Sequence, residues 1–216
     1  GNPVIGARLV GVTDAGVATA AKVTGLAQLA DAGTADEPAL MLVLEPAPGA
    51  AGIPAVVWAP DSAPAVVYAK VVLDAPDERA VREAFAAHAA VHELDADTPL
   101  EIELRAFRAP DGATVAVIGG ADASSDPCAR PPRAVTVAYA VAPGRPPTPL
   151  GAPVADRFAG VVAVIDRDHD GAPDVVFGGQ RTDMGMSIEA DDGAVWSPRA
   201  DRLTEIAPDS SYAGCD

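Results

Sequence analysis

Short runs of valine, leucine and isoleucine, each closed by proline or glycine, recur along most of this chain. Runs of that length, rich in β-branched residues and bounded by turn formers, predict strands. They fall at "VIGARLVGV" (4–12), "ALMLVLE" (39–45), "AVVWA" (55–59), "AVVYAKVVL" (65–73), "LEIELRAF" (100–107) and "TVAVIG" (114–119). "AVTVAYAV" (134–141), "GVVAVI" (160–165), "VVFGG" (175–179) and "MSIEA" (186–190) complete the set. In "LEIELRAF" the alternation is regular. Leu100, Ile102, Leu104 and Ala106 share one face, and Glu101, Glu103, Arg105 and Phe107 the other, which predicts a half-buried strand. "VATAAKVTGLAQLADAG" (17–33) fits a strand or a helix equally well.

One stretch carries the helical period with proper ends. "DAPDERAVREAFAAHAAVHEL" (74–94) begins with Asp74 as a cap, Pro76 in the first turn, and Asp77 and Glu78 at the positive end of the dipole. Arg79 and Glu83 are spaced to pair on its outer side. The expected fold is therefore α+β but mainly β: antiparallel sheets with one prominent helix over 74–94. Two proline-rich connections, 126–133 and 142–154, suggest a β-rich part over 1–125 that contains the helix and a second β-rich part over 133–216. One domain with two long surface loops is the alternative.

Composition narrows the partners. Nearly half the residues are hydrophobic, mostly Ala and Val, and few are aromatic, so the core is expected to be built from small side chains. The formal charge of −16 argues against nucleic acid and against anionic membranes, both of which select basic surfaces. The longest strongly apolar run, "ALMLVL" (39–44), is far too short to span a bilayer. The chain opens at "GNPV" without Met, and the expectation is a mature exported chain whose leader has been removed; a lipid anchor upstream of Gly1 is a further reading. Cys128 and Cys215 stand too far apart for a zinc or redox motif. A disulfide tying the C-terminus back is expected, which would place the protein in an oxidising compartment.

The densest chemistry lies in "DRDHDGAPD" (166–174). Two like charges about 4 Å apart repel by roughly 1 kcal/mol in water and about 4 at an effective dielectric near 20. A cation relieves that repulsion. Asp166, Asp168 and Asp170 alternate, so a tightly wound loop turns all three inward. Gly171 bends the backbone, the carbonyl of Ala172 points in, and Asp174 closes the far side. All-oxygen ligands select a hard cation, and Ca²⁺ fits better than Mg²⁺. An EF-hand would need Glu at position 12 and helices on both flanks. Here Phe177 stands at that position and the flanks read as strands, so a strand–loop–strand calcium hairpin is predicted. This stretch resembles the calcium loop of FG-GAP and VCBS-type repeats, found in integrin-like propellers and exported bacterial proteins, whose pattern is Asp-x-Asp-x-Asp-Gly-x-x-Asp before a hydrophobic strand. The resemblance covers 159–179, about a tenth of the chain. It implies the site and not a whole propeller, which needs several blades.

A second constellation, His88 and His92, lies one helical turn apart on the stripe of Val81 and Phe85. Such a pair binds zinc in metalloproteases, but Ala89 stands where their general base would follow. No nucleophile elbow, phosphate loop or paired cysteines occur. The sequence therefore reads as an exported calcium-binding protein (periplasmic, cell-surface or extracellular). Its calcium would be structural, its activity binding or scaffolding at a cell envelope, and its ligand or envelope partner unknown. A metal-dependent hydrolase using His88 and His92 is the alternative.

Overall fold

The long valine runs become the inner strands of three stacked antiparallel sheets. The computed structural model describes residues 4–13, 16–28, 40–52, 54, 56–92, 94, 100–122, 134–155, 160–178, 180–182, 189–191 and 193–205. In chain order its strands and helices are β1 (Arg8–Val12), β2 (Ala18–Gln28), β3 (Leu40–Pro46), β4 (Val56–Trp58), β5 (Val66–Val67), β6 (Ala69–Val71), α1 (Ala75–Ala86) and α2 (Ala89–His92). There follow β7 (Leu100–Arg108), β8 (Thr114–Asp122), β9 (Ala134–Val141), β10 (Thr148–Pro149), β11 (Val154–Ala155), β12 (Val161–Asp166) and β13 (Asp174–Phe177). The last are β14 (Gln180–Thr182), β15 (Glu189–Asp191), β16 (Ala194–Ser197) and β17 (Arg202–Glu205).

The outer sheet runs β3-β2-β1-β4. The second runs β10-β9-β8-β7-β6, with β11 also on β9, and the third, which lies between the other two, runs β17-β16-β13-β12-β5. Among the described residues, strands β14 and β15 pair only with each other. Side-chain alternation builds the layers. On β8, Ala116 and Ile118 face α1 and meet Val81 and Phe85, while Val115 and Val117 face the third sheet. There they meet Val164, Val175, Phe177 and Trp196. The opposite face of the third sheet presents Ala163, Ile165, Val176 and Val195 to Val12 and Trp58 of the outer sheet. Strands buried on both faces read as unbroken apolar runs, which is why β12 and β13 show no polar alternation. Phe177 and Trp196 stack with centroids 6.4 Å apart. Arg105 of β7 ties the second and third sheets by donating to the carbonyl of Val161 at 2.7 Å.

The sheets are antiparallel with one main helix, as the hydrophobic pattern indicates. Within the ambiguous 17–33 stretch, Ala18–Gln28 is strand β2, with Ala21 and Val23 buried and Lys22 and Thr24 exposed, and 29–33 lie outside the described residues. "AVVYAKVVL" divides at Tyr68: β5 joins the third sheet and β6 the second. In β7 both faces close toward the end of the strand, where Ala106 and Phe107 are both buried, whereas Ile102 is exposed. Strand β9 extends the sheet beyond β8, and one hydrophobic cluster draws on Phe107 and Val117 before the 126–133 connection and on Val164 and Trp196 after it. Cys128, Cys215 and the disulfide expected between them lie outside the described residues.

The helix is shorter than 74–94. Asp74 caps it as expected, accepting from the Asp77 amide at 2.9 Å, but α1 ends at Ala86 and a separate turn, α2, follows. In a continuous helix the Ala90 amide would bond to the Ala86 carbonyl. It donates instead to Nδ1 of His88 at 3.2 Å, so an imidazole acts as the cap that starts α2. The ion pair on the exposed side joins Glu78 to Arg82 at 2.9 Å rather than Arg79 to Glu83. Phe85 lies against β8 where that strand has glycine: a Cβ on Gly120 would stand 3.0 Å from the ring. No helix among the described residues is long and apolar enough to cross a membrane.

Tyr139 is buried between α1 and the second sheet, and its hydroxyl has no partner among the described residues. Burial raises its pKa above the ordinary value. Tyr139→Phe should therefore leave stability at pH 7 unchanged or raise it by up to about 1 kcal/mol, as measured by chemical denaturation. The sign with pH follows from linkage. The unfolded phenol ionises near pH 10 and the folded one only above that, so the wild type should lose stability above about pH 10 relative to the Phe variant. A neutral-pH loss of more than about 1 kcal/mol would mean the hydroxyl is satisfied.

Candidate metal centre

The loop between β12 and β13 closes the central hairpin of the central sheet. Asp166 is the last residue of β12 and Asp174 the first of β13, so the packing that buries the strands also takes in their carboxylates. They are 4% and 3% exposed, whereas Asp168 and Asp170 are exposed. Backbone amides hold the loop. Oδ2 of Asp174 accepts from the Arg167 amide at 2.9 Å, Oδ2 of Asp166 from Gly171 at 3.2 Å, and Oδ1 of Asp170 from Ala172 at 2.7 Å. Winding the loop this tightly puts His169 at φ 64° and Gly171 at φ 79°. The second position takes glycine because the left-handed region costs a residue without Cβ nothing.

Asp166, Asp168 and Asp170 each offer a carboxylate oxygen, and the three atoms lie within 4.8 Å of one another. Calcium ligands stand about 2.3–2.6 Å from the ion, so any two of them are at most about 5 Å apart. The three oxygens meet that limit, and all are hard donors. Oδ1 of Asp166 is buried and has no hydrogen-bond partner among the described residues. An unpaired oxygen on a buried carboxylate is a costly vacancy in the hydrogen-bonding scheme, and a cation would fill it.

Asp174 stands apart from that group. Its Oδ1 accepts a hydrogen bond from the Ser197 hydroxyl, so both of its oxygens are engaged. Burial raises its pKa, the Ser197 hydroxyl and the Arg167 amide pull it down, and the charges of Asp168 and Asp170 add to the rise. Ala172 is buried at the turn. Of the expected ligands, the structure thus gathers Asp166, Asp168 and Asp170 and puts Asp174 at the foot of the hairpin.

Three residues around the loop were not read from the sequence. Ser197 ends β16, the strand paired to β13. Arg202 begins β17 and places a guanidinium nitrogen 3.8 Å from Oδ2 of Asp168. Tyr68 is buried nearby, and its pKa is raised by burial first and then by Asp111, Asp166 and Asp174. Local spacing carries no signal for any of them. Pairing β13 with a following strand is what would find Ser197.

His88 is half-buried and occupied as the α2 cap, and His92 is exposed. The break between the helices removes the shared stripe on which the pair was expected, and Val91 and Leu94 take the buried positions. Among the described residues neither histidine belongs to a group of three that could hold a metal. No protein-family model, curated protein or solved structure matches this chain.

Ser197→Ala would leave Oδ1 of the buried Asp174 without its donor. The expected cost is about 1–3 kcal/mol in chemical denaturation. Ser197→Thr, which keeps the hydroxyl, should recover most of that loss, and equal losses in the two variants would contradict this role.

Proposed function

We propose that the β12–β13 loop is a structural calcium site. The chain it fastens would be a binding or scaffolding module at the cell envelope, outside the cytoplasm. The observation that carries this reading is the buried, unpartnered Oδ1 of Asp166 on a carboxylate grouped with two others. Asp166, Asp168 and Asp170 would hold the ion, with the Ala172 carbonyl as a further ligand expected from the spacing, while Asp174 braces the strand end through Ser197 and the Arg167 amide. The ion would supply positive charge and a fixed distance between two strand ends.

Other features support this assignment. The loop joins two strands, as in the FG-GAP and VCBS-type loops that it resembles. Its place at the end of the central hairpin suits a fastener. Loops of exposed carboxylates suit the millimolar calcium found outside cells, where weak sites are filled. The strongly negative charge disfavours nucleic acid as the partner. The hydrolase reading rested on His88 and His92, and neither the α2 cap nor the exposed position of His92 supports it.

Calcium that binds only the folded chain stabilises it by about 2.7 kcal/mol at a hundred times Kd. For a chain of this size that corresponds to a rise in melting temperature of roughly 5–10 °C. Asp168 is exposed, so Asp168→Ala should fold normally and lose the whole rise. Identical melting curves for the wild type in excess calcium and in chelator would refute the proposal.

A further inference from the structure

The four aspartates of the loop are not held alike. Asp166, Asp170 and Asp174 each accept a backbone amide. Asp168 has a single charged partner among the described residues, the guanidinium of Arg202 at 3.8 Å. Arg202 reaches it from the neighbouring hairpin, where it pairs in register with Ser197, the residue that binds Asp174. The two residues of one rung of that hairpin thus grip two carboxylates of the other. The turn between them lies directly against Gly151, where a Cβ would come within 1.9 Å of the Pro198 carbonyl oxygen.

The geometry points to Arg202 as a built-in competitor for the cation, one that sets how tightly the loop binds it. This inference rests on the metal reading above. Without a bound ion the guanidinium partly neutralises Asp168. With an ion present, the Asp168 carboxylate is shared between two positive groups, and their mutual repulsion pushes the guanidinium away. The pair is open to solvent, with side chains 60% and 46% exposed, so it yields readily. Once displaced, the guanidinium stays tethered within about a Debye length of the ion and repels it. The site therefore binds calcium more weakly than its own carboxylates would allow.

The test is calorimetric titration of CaCl₂ into chelator-stripped protein at low ionic strength. The wild type is compared with Arg202→Gln, Arg202→Lys and Asp168→Ala, and circular dichroism confirms that each variant is folded. Arg202→Gln should bind calcium about 3–10-fold more tightly than the wild type, as expected for removing one charge near a divalent ion. Arg202→Lys should stay within about twofold of the wild type, since the charge is kept. Wild-type binding that Arg202→Gln leaves unchanged or weakens would overturn the role of Arg202 and leave the calcium site standing. A wild type with no binding that depends on Asp168 would overturn both.

Discussion

Two carboxylates, Asp166 and Asp174, are buried at the foot of the hairpin that runs through the middle of the stacked sheets. Moving an ionised carboxylate out of water is costly unless hydrogen bonds or an opposite charge replace the lost hydration. Asp174 obtains that replacement from the Ser197 hydroxyl and the Arg167 amide. Asp166 obtains half of it, from Gly171. The left-handed turn at Gly171 serves the same need, because it swings an amide back toward the strand end. The loop's conformation, its partner hairpin and the calcium proposal thus share one origin, the demand for positive charge or donors around these oxygens.

How much of this could be read in advance depended on the range of the interaction that decides each feature. Strands β8 and β9 were legible because burial on both faces selects continuous apolar runs. The start of α1 was legible because Asp74 and Pro76 act within one turn. Its end was not, because it turns on a side chain: the His88 imidazole takes an amide that the backbone would otherwise use. Strand β2 mixes helix-favouring alanine with strand-favouring threonine and valine, and its neighbours β1 and β3 settle the matter. Strands β16 and β17 escaped notice altogether. Each is four residues long, β17 carries Arg202 and Glu205, and they become strands only against β13 and each other.

The aspartate loop divides in the same way. Spacing alone brings Asp166, Asp168 and Asp170 to one centre, as the structure does. Spacing does not say which of four equivalent aspartates is buried. That depends on where the strands end between the sheets, and it separates Asp166 and Asp174 from the exposed Asp168 and Asp170. Nor does it reveal Ser197 or Arg202, which come from a different hairpin. The histidine pair shows the reverse case: its alignment with Val81 and Phe85 held only while the helix ran on past Ala86.

Tyr68 is the point at which one extended segment leaves the third sheet and enters the second. Its amide still bonds to the Val164 carbonyl at 3.0 Å, while the next residue, Ala69, pairs with Arg108. Strands that switch sheets form the corners of stacked β structures. Here the corner means that the two layers are sewn together by backbone and cannot slide past each other without tearing hydrogen bonds in both. Mechanical load applied at the aspartate loop passes along β12 to β5 and round this seam into the sheet that carries α1. Peeling one layer from the other therefore has to part β5 from β12 or β6 from β7.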